Sequence, residues 1–202
     1  MIKTQGIISQ KITIIKKSNL AFNYNLINKR VGKAQILSVV KGDAYGHGLK
    51  ECVKTLHQYG SKDFYVARLE DAKLIRKQIK EAKVYLLSGV ITSKCCQQIV
   101  DNNIIPIINN LDQLNIIINF PKRISYILHF DTGMNRLGLN LSKIDEFKNK
   151  IQFKNIIFLM THLTSADEKD LKQSKYQLDQ IKKINKIFKK PLSIANSGGI
   201  FI

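Results

Sequence analysis

The chain has 202 residues, 44% of them hydrophobic and 24% charged, enough for one substantial core and ordinary for a globular protein. Its formal net charge of +18 raises nucleic-acid binding as a first reading. The lysines, however, are scattered among Ile and Asn along the whole chain. No aromatic–basic alternation, helix-turn-helix or RNA-binding signature accompanies them, so no specific nucleic-acid partner is expected, only non-specific adhesion to polyanions.

In chain order, residues 1–17 are punctuated by Lys3, Gln5, Gln10 and Lys11, with no continuous apolar stretch and no small-residue cleavage site. The isoleucine runs at 104–108 and 116–118 are far shorter than the roughly 20 apolar residues needed to cross a bilayer. Three cysteines, two adjacent as Cys95 and Cys96, form neither a disulfide framework nor a zinc spacing. A reduced cytoplasmic location, with no membrane association, is the expectation.

Short apolar runs at 36–40, 64–67, 84–87, 104–108, 126–130, 156–160 and 192–195 read as strands. Amphipathic stretches separate them. In 49–58, Cys52, Val53 and Leu56 share a face; in 171–190, Leu171, Leu178, Ile181, Ile184 and Phe188 do so, with lysines opposite. The strands recur roughly every 20 to 35 residues, the size of a βα unit, and their β-branched, near-continuous apolar character fits parallel strands covered on both faces. The pattern predicts an α/β fold: an incomplete (β/α)8 TIM-type barrel with about seven of eight strands, residues 1–202 forming a single domain.

The chemically unusual residues follow the strand ends: Lys41, Ser88 and Gly89, Asn109 and Asn110, Asp131 to Gly133, Thr161 and His162, and Asn196 to Gly199. That is the face on which barrel enzymes carry their sites. Lys41 ends an apolar strand, where burial lowers an amine's pKa, and such an amine suits a Schiff base with an aldehyde cofactor; the alternative is a solvated surface charge. Residues 42–48 (Gly-Asp-Ala-Tyr-Gly-His-Gly) match neither phosphate-binding fingerprint. They are either a plain glycine-rich turn into a helix or a loop that approaches a ligand closely, with Tyr45 and His47 adding polar contacts.

In residues 129–138, Asp131-Thr132-Gly133 reads as an Asx-type turn, and Arg136 either as a surface residue or as a donor to an anionic phenolate oxygen. His129 and Asp131 are read as pointing to opposite sides of their strand, which removes them as a metal pair. His162 fits a hydrogen-bonded structural role or a place against a planar ring. Residues 195–199 fit a phosphate-binding turn or a simple helix cap.

Together, residues 39–48 (Val-Val-Lys-Gly-Asp-Ala-Tyr-Gly-His-Gly), residues 131–138 (Asp-Thr-Gly-Met-Asn-Arg-Leu-Gly), Thr161-His162-Leu163 with Ala166-Asp167-Glu168, and Ala195-Asn196-Ser197 resemble alanine racemase. That family comprises pyridoxal 5'-phosphate enzymes of bacterial cell-wall precursor synthesis. The resemblance implies that Lys41 carries the cofactor and acts as one of two opposed acid–base groups. Tyr45 and Ser197, with Asn196 beside it, would hold the phosphate. Arg136 would contact the phenolate oxygen, His162 would sit beside the ring, and Met134 would lie with Arg136 near the alanine substrate.

The sequence departs from the family in two ways. His129 stands where the family often has a lysine, sometimes carbamylated, that helps to position the arginine. An eighth strand with a ring-tuning arginine and a β domain with the opposing tyrosine base are absent from the sequence. The expectation is therefore a fragment with weak or no activity alone, complemented by a C-terminal half, from a family that forms homodimers. Two alternatives stand beside it: a pyridoxal-phosphate carrier of the single-barrel homeostasis kind, which lacks the 131–136 run, and a non-enzymatic relic.

Overall fold

The parallel sheet anticipated from the apolar runs is present in the computed structural model, which describes residues 14–149 and 151–201. Its strands are β1 (Ser38–Val39), β2 (Asp63–Val66), β3 (Lys83–Leu86), β4 (Ile104–Ile108), β5 (Tyr126–Asp131), β6 (Leu139–Asn140), β7 (Ile156–Met160) and β8 (Leu192–Ser193). The order across the sheet is β1-β2-β3-β4-β5-β7-β8, with the two-residue β6 beside β5, and every pairing is parallel. The seven expected strands are those of the main path. β6 was not anticipated, because two residues are too few to establish an alternating pattern.

Helices Leu49–Gln58, Leu69–Gln78, Ser93–Asp101, Leu111–Asn119 and Lys172–Phe188 return the chain between successive strands, as parallel connections require. The sheet is strongly curled. Tyr85 on β3 and Phe158 on β7 bring their ring centroids to 5.7 Å, although three strand spacings, about 14 Å in a flat sheet, separate their strands. Strand alternation builds two cores. Tyr65, Tyr85, Ile107, Ile127 and Phe158 fill the inside of the curl, while residues of opposite parity, such as Phe64, Val66, Val84, Leu128 and Phe130, pack outward against the helices. Each fully buried side chain of this kind contributes about 1.5–3 kcal/mol.

Among the described residues β1 pairs only with β2 and β8 only with β7, so the curled sheet is an incomplete TIM-type barrel. At the end opposite the carboxyl termini, buried Asp63 accepts hydrogen bonds from the Tyr85 hydroxyl (2.7 Å) and the Gln35 amide (2.6 Å). No helix among the described residues is long and apolar enough to cross a membrane. Residues 1–13, part of the N-terminal reading above, lie outside the described residues.

Candidate functional site

The loops at the carboxyl ends of the strands carry every residue singled out as a site candidate. Lys41 follows β1 after Val40 and is partly buried. The chain then does something glycine content alone did not reveal. Gly42, Asp43, Ala44 and Tyr45 have φ of 60, 55, 53 and 56°, a full turn of left-handed helix. For the three non-glycine residues this costs about 1–2 kcal/mol each.

Hydrogen bonds hold that turn in place. Ala44 N donates to Val40 O (3.0 Å), Gly48 N to Asp43 O (2.9 Å), and Leu49 N to the Asp43 carboxylate (2.7 Å), while His47 Nδ1 donates to Ala44 O (3.0 Å). The turn leaves Tyr45 62% exposed on the open face, with the Lys41 amine 6.0 Å above its ring centroid. Backbone strain concentrated this way is a mark of functional segments.

After β5, the Asp131 carboxylate accepts from the backbone of Gly133 (2.9 Å), Met134 (2.9 Å) and Asn135 (3.1 Å). The Asx-type turn read from the sequence is therefore present, and it presents Arg136 on the exposed side. Gly138 closes the loop at φ 128°, where a Cβ would lie 2.4 Å from Asp131 N.

One expectation is corrected here. Residues two apart on a strand share a face, so His129 and Asp131 are not on opposite sides of β5. What occupies them is their hydrogen bonding: Asp131 caps the turn, and His129 Nδ1 pairs with Asn109 Oδ1 at 2.8 Å. No cluster of three or more His, Cys, Asp or Glu able to hold a metal occurs among the described residues.

His129 is buried, and its imidazole pKa falls to about 4. Burial is the main cause, followed by His162; Arg136 also lowers it, and Asp131 acts in the opposite sense. Its partner Asn109 is fixed in turn. Asn109 Nδ2 donates to the carbonyls of Leu87 (2.9 Å) and Ile107 (3.2 Å), and its backbone N–H donates to Gln113 Oε1 (2.8 Å), whose amide nitrogen donates to Ser88 O (2.8 Å).

His162, just past β7, also has a lowered pKa, first through burial and then through the positive charges of Arg136 and Lys41. Those couplings bring Lys41, Arg136, His129 and His162 together at one mouth. The loops after β5 and β7, which bear Arg136 and His162, are stitched from behind by Gln177, a fully buried residue of the Lys172–Phe188 helix. It donates to His162 O (2.9 Å) and Thr132 Oγ1 (3.2 Å) and accepts from Thr164 N (2.9 Å), while Thr132 and Thr161 pair their hydroxyls at 2.7 Å.

Gln177 escaped sequence reasoning. The helix face was read as Leu171, Leu178, Ile181, Ile184 and Phe188, yet its first half buries Ser174 and Gln177 because it meets loops rather than strands. Past β8, Asn196 caps the short helix Ser197–Ile200 by accepting from Gly199 N (2.9 Å), leaving the exposed Ser197 beside it.

The fold and the mouth define an α/β barrel domain with a cation-rich site at the carboxyl ends of its parallel strands. Over residues 15–202 the chain matches the sequence model of the alanine racemase N-terminal domain, and it belongs to that family. Alanine racemase from Rhizobium meliloti is 34% identical over 191 residues, 91% of this chain and 50% of that protein. The biosynthetic alanine racemase of Agrobacterium fabrum is 32% identical over 91% of this chain and 48% of its own length. Among solved structures, alanine racemase from Bartonella henselae with covalently bound pyridoxal phosphate superposes with a TM-score of 0.85 at 27% identity, covering 93% of this chain and 54% of that one. The biosynthetic enzyme from Pseudomonas aeruginosa gives 0.83 at 26% identity over 91% and 52%. The chain thus spans about half the length of the relatives it matches.

Proposed function

We propose that this chain is the cofactor-bearing barrel of a pyridoxal-phosphate-dependent racemase that interconverts L- and D-alanine for peptidoglycan precursor supply. The observation that carries the reading is the convergence of Lys41, Arg136 and His162 at one mouth, with His162 under the charge of both cations. The donor set fits the cofactor. One amine, one guanidinium, an exposed phenol and a hydroxyl beside successive glycine amides suit an aldehyde, a phenolate and a phosphate respectively.

When bound, pyridoxal 5'-phosphate supplies an aldehyde for covalent attachment and a ring that accepts the electrons released at a substrate Cα. This chain's residues do the rest. Lys41 would hold the aldehyde carbon in the absence of substrate and, as the amine freed when the substrate amine takes its place, would move the Cα proton on its own face of the substrate. Tyr45, Asn196 and Ser197 would hold the phosphate, with Asn196 acting by fixing the turn. Arg136 would donate to the phenolate oxygen and, with Met134, border the substrate, while His162, its pKa lowered by burial and by the charges of Arg136 and Lys41, would lie beside the ring.

Borohydride reduction of the purified chain with pyridoxal phosphate, followed by peptide mass mapping, tests this reading. A single pyridoxyl adduct at Lys41, lost in Lys41→Ala, is expected; no adduct, or modification spread over many lysines, overturns it. The same reading takes residues 1–202 as one domain and includes a cytoplasmic location and, for the full-length family, a homodimer. It also includes an opposing acid–base group from the family's other half. Alanine racemisation is therefore measured on the chain alone and mixed with the C-terminal half of the Rhizobium meliloti protein. Turnover in neither case refutes the racemase assignment while leaving cofactor binding intact.

A further inference from the structure

We propose that Asp43 is a positioning residue: it pins the left-handed turn that aims Tyr45 into the mouth, and so sets the preference of the site for a phosphorylated aldehyde over an unphosphorylated one. The helix Leu49–Gln58 lacks a cap of its own. Gly48 precedes it and has no side chain to accept from the free N–H groups of the first turn. Asp43, six residues before Leu49, does this instead. Its carboxylate accepts from Leu49 N at 2.7 Å, and its carbonyl accepts from Gly48 N at 2.9 Å. The helix dipole favours an anion at that end. The charge is felt further into the helix, where burial and then Asp43 push the Cys52 thiol up.

Asp43 is also the second of the four consecutive residues at positive φ. Ala44 and Tyr45, at 53 and 56°, are disfavoured in that conformation and gain nothing from it by themselves. The other bonds of the segment, from Ala44 N to Val40 O and from His47 to Ala44 O, close within it or onto the strand end. Among the described residues, Asp43 has the only side chain of the turn that bonds to the helix. Its release frees Ala44 and Tyr45 to return to negative φ, which swings the Tyr45 Cα–Cβ bond away from the direction that exposes its ring on the open face. Lys41 precedes the turn and has a separate support, because Val40 N donates to Tyr65 O on β2 at 2.9 Å. The amine is held by the sheet. Only the phenol depends on Asp43.

The preference rests on the cofactor reading above, in which Lys41 takes the aldehyde and Tyr45 the phosphate. Pyridoxal and pyridoxal phosphate differ only in that phosphate, so borohydride reduction and mass mapping of Lys41 over a concentration series of each read the two ends separately. Asp43→Ala should raise the pyridoxal phosphate concentration for half-labelling about tenfold, the loss of one hydrogen bond to a charged group, and leave that for pyridoxal unchanged. Asp43→Asn should recover most of the loss, because its amide oxygen still accepts from Leu49 N and asparagine tolerates positive φ. Equal losses for both aldehydes, or an Asp43→Asn chain no better than Asp43→Ala, would overturn the proposal.

The turn itself is tested without cofactor. In the unaltered chain, residues 43–45 should each show the strong intraresidue amide–Hα Overhauser effect of positive φ, and the Leu49 amide should exchange slowly. Asp43→Ala should abolish both signals, and Asp43→Asn should keep them. Their absence from the unaltered chain, or their survival in Asp43→Ala, refutes the anchoring role whatever the cofactor does. Failure of either aldehyde to label Lys41 in the unaltered chain refutes the cofactor reading and the phosphate preference with it, while the anchoring role stands on the spectra.

Discussion

Gln177 Nε2 donates to the backbone carbonyl of His162 at 2.9 Å, from a helix position with no solvent exposure. The same side chain reaches Thr132 and Thr164, so a single amide ties the loop after β5 to the loop after β7. Gln177→Leu keeps the volume and leaves the His162 carbonyl and the Thr164 amide without their partner, while Thr132 keeps its bond to the Thr161 hydroxyl. Urea unfolding should show a loss of about 3 kcal/mol, with cofactor labelling of Lys41 weakened in the protein that remains folded.

His129 makes stability depend on pH with a defined sign. Its pKa is depressed from 6.5 to about 4 in the folded chain, so the unfolded chain binds the proton more readily. The contribution is complete above pH 6.5, declines as pH falls, and is gone below about pH 4. A shift of this size is worth about 3 kcal/mol. Denaturation midpoints at pH 7, 6 and 5 should fall more steeply for the unaltered chain than for His129→Gln; parallel slopes would assign the acid sensitivity to other groups.

Gly138 is the residue that allows β6 to return beside β5. At φ 128°, an alanine Cβ would sit 2.4 Å from Asp131 N and 2.8 Å from Phe130 C, both backbone atoms that cannot rotate away. Gly138→Ala should cost at least about 3 kcal/mol and displace the Asp131–Arg136 turn. Thermal melts measure the first effect. Loss of Lys41 labelling at low cofactor concentration measures the second.

Tyr126 makes the opposite prediction. It is 1% exposed, and its hydroxyl has no hydrogen-bond partner among the described residues; burial alone pushes the phenol up to about 12. Tyr126→Phe removes a polar atom that has lost its water without replacement. Stability should stay level or rise by up to about 1 kcal/mol, and a loss above that would reveal a partner for the hydroxyl.

The seven strands of the main path were readable because each is a short β-branched run that must be covered on both faces, and the helices because their apolar period survives solvent on the other side. Element ends moved by a residue or more, as at β1, read as 36–40 and found as Ser38–Val39. The candidate residues were readable for a related reason: in a parallel α/β unit, whatever polar residue ends an apolar strand is delivered to one face. The Asx turn at Asp131 is local chemistry and needed no fold to predict.

The left-handed turn after Lys41 was not legible, since Ala44 and Tyr45 carry no local preference for positive φ and the turn is held by contacts to Val40, Gly48 and Leu49. Nor was the Asn109–His129 pair, twenty residues apart at the ends of neighbouring strands, or Gln177, which is not among the apolar residues of its helix face. The sequence by itself determined which residues reach the mouth of the barrel, because strand parity and run length are one-dimensional properties. Only the tertiary structure decided their protonation, orientation and mutual support, because those depend on burial and on partners that the curl of the sheet, not the order of the chain, brings within hydrogen-bonding distance.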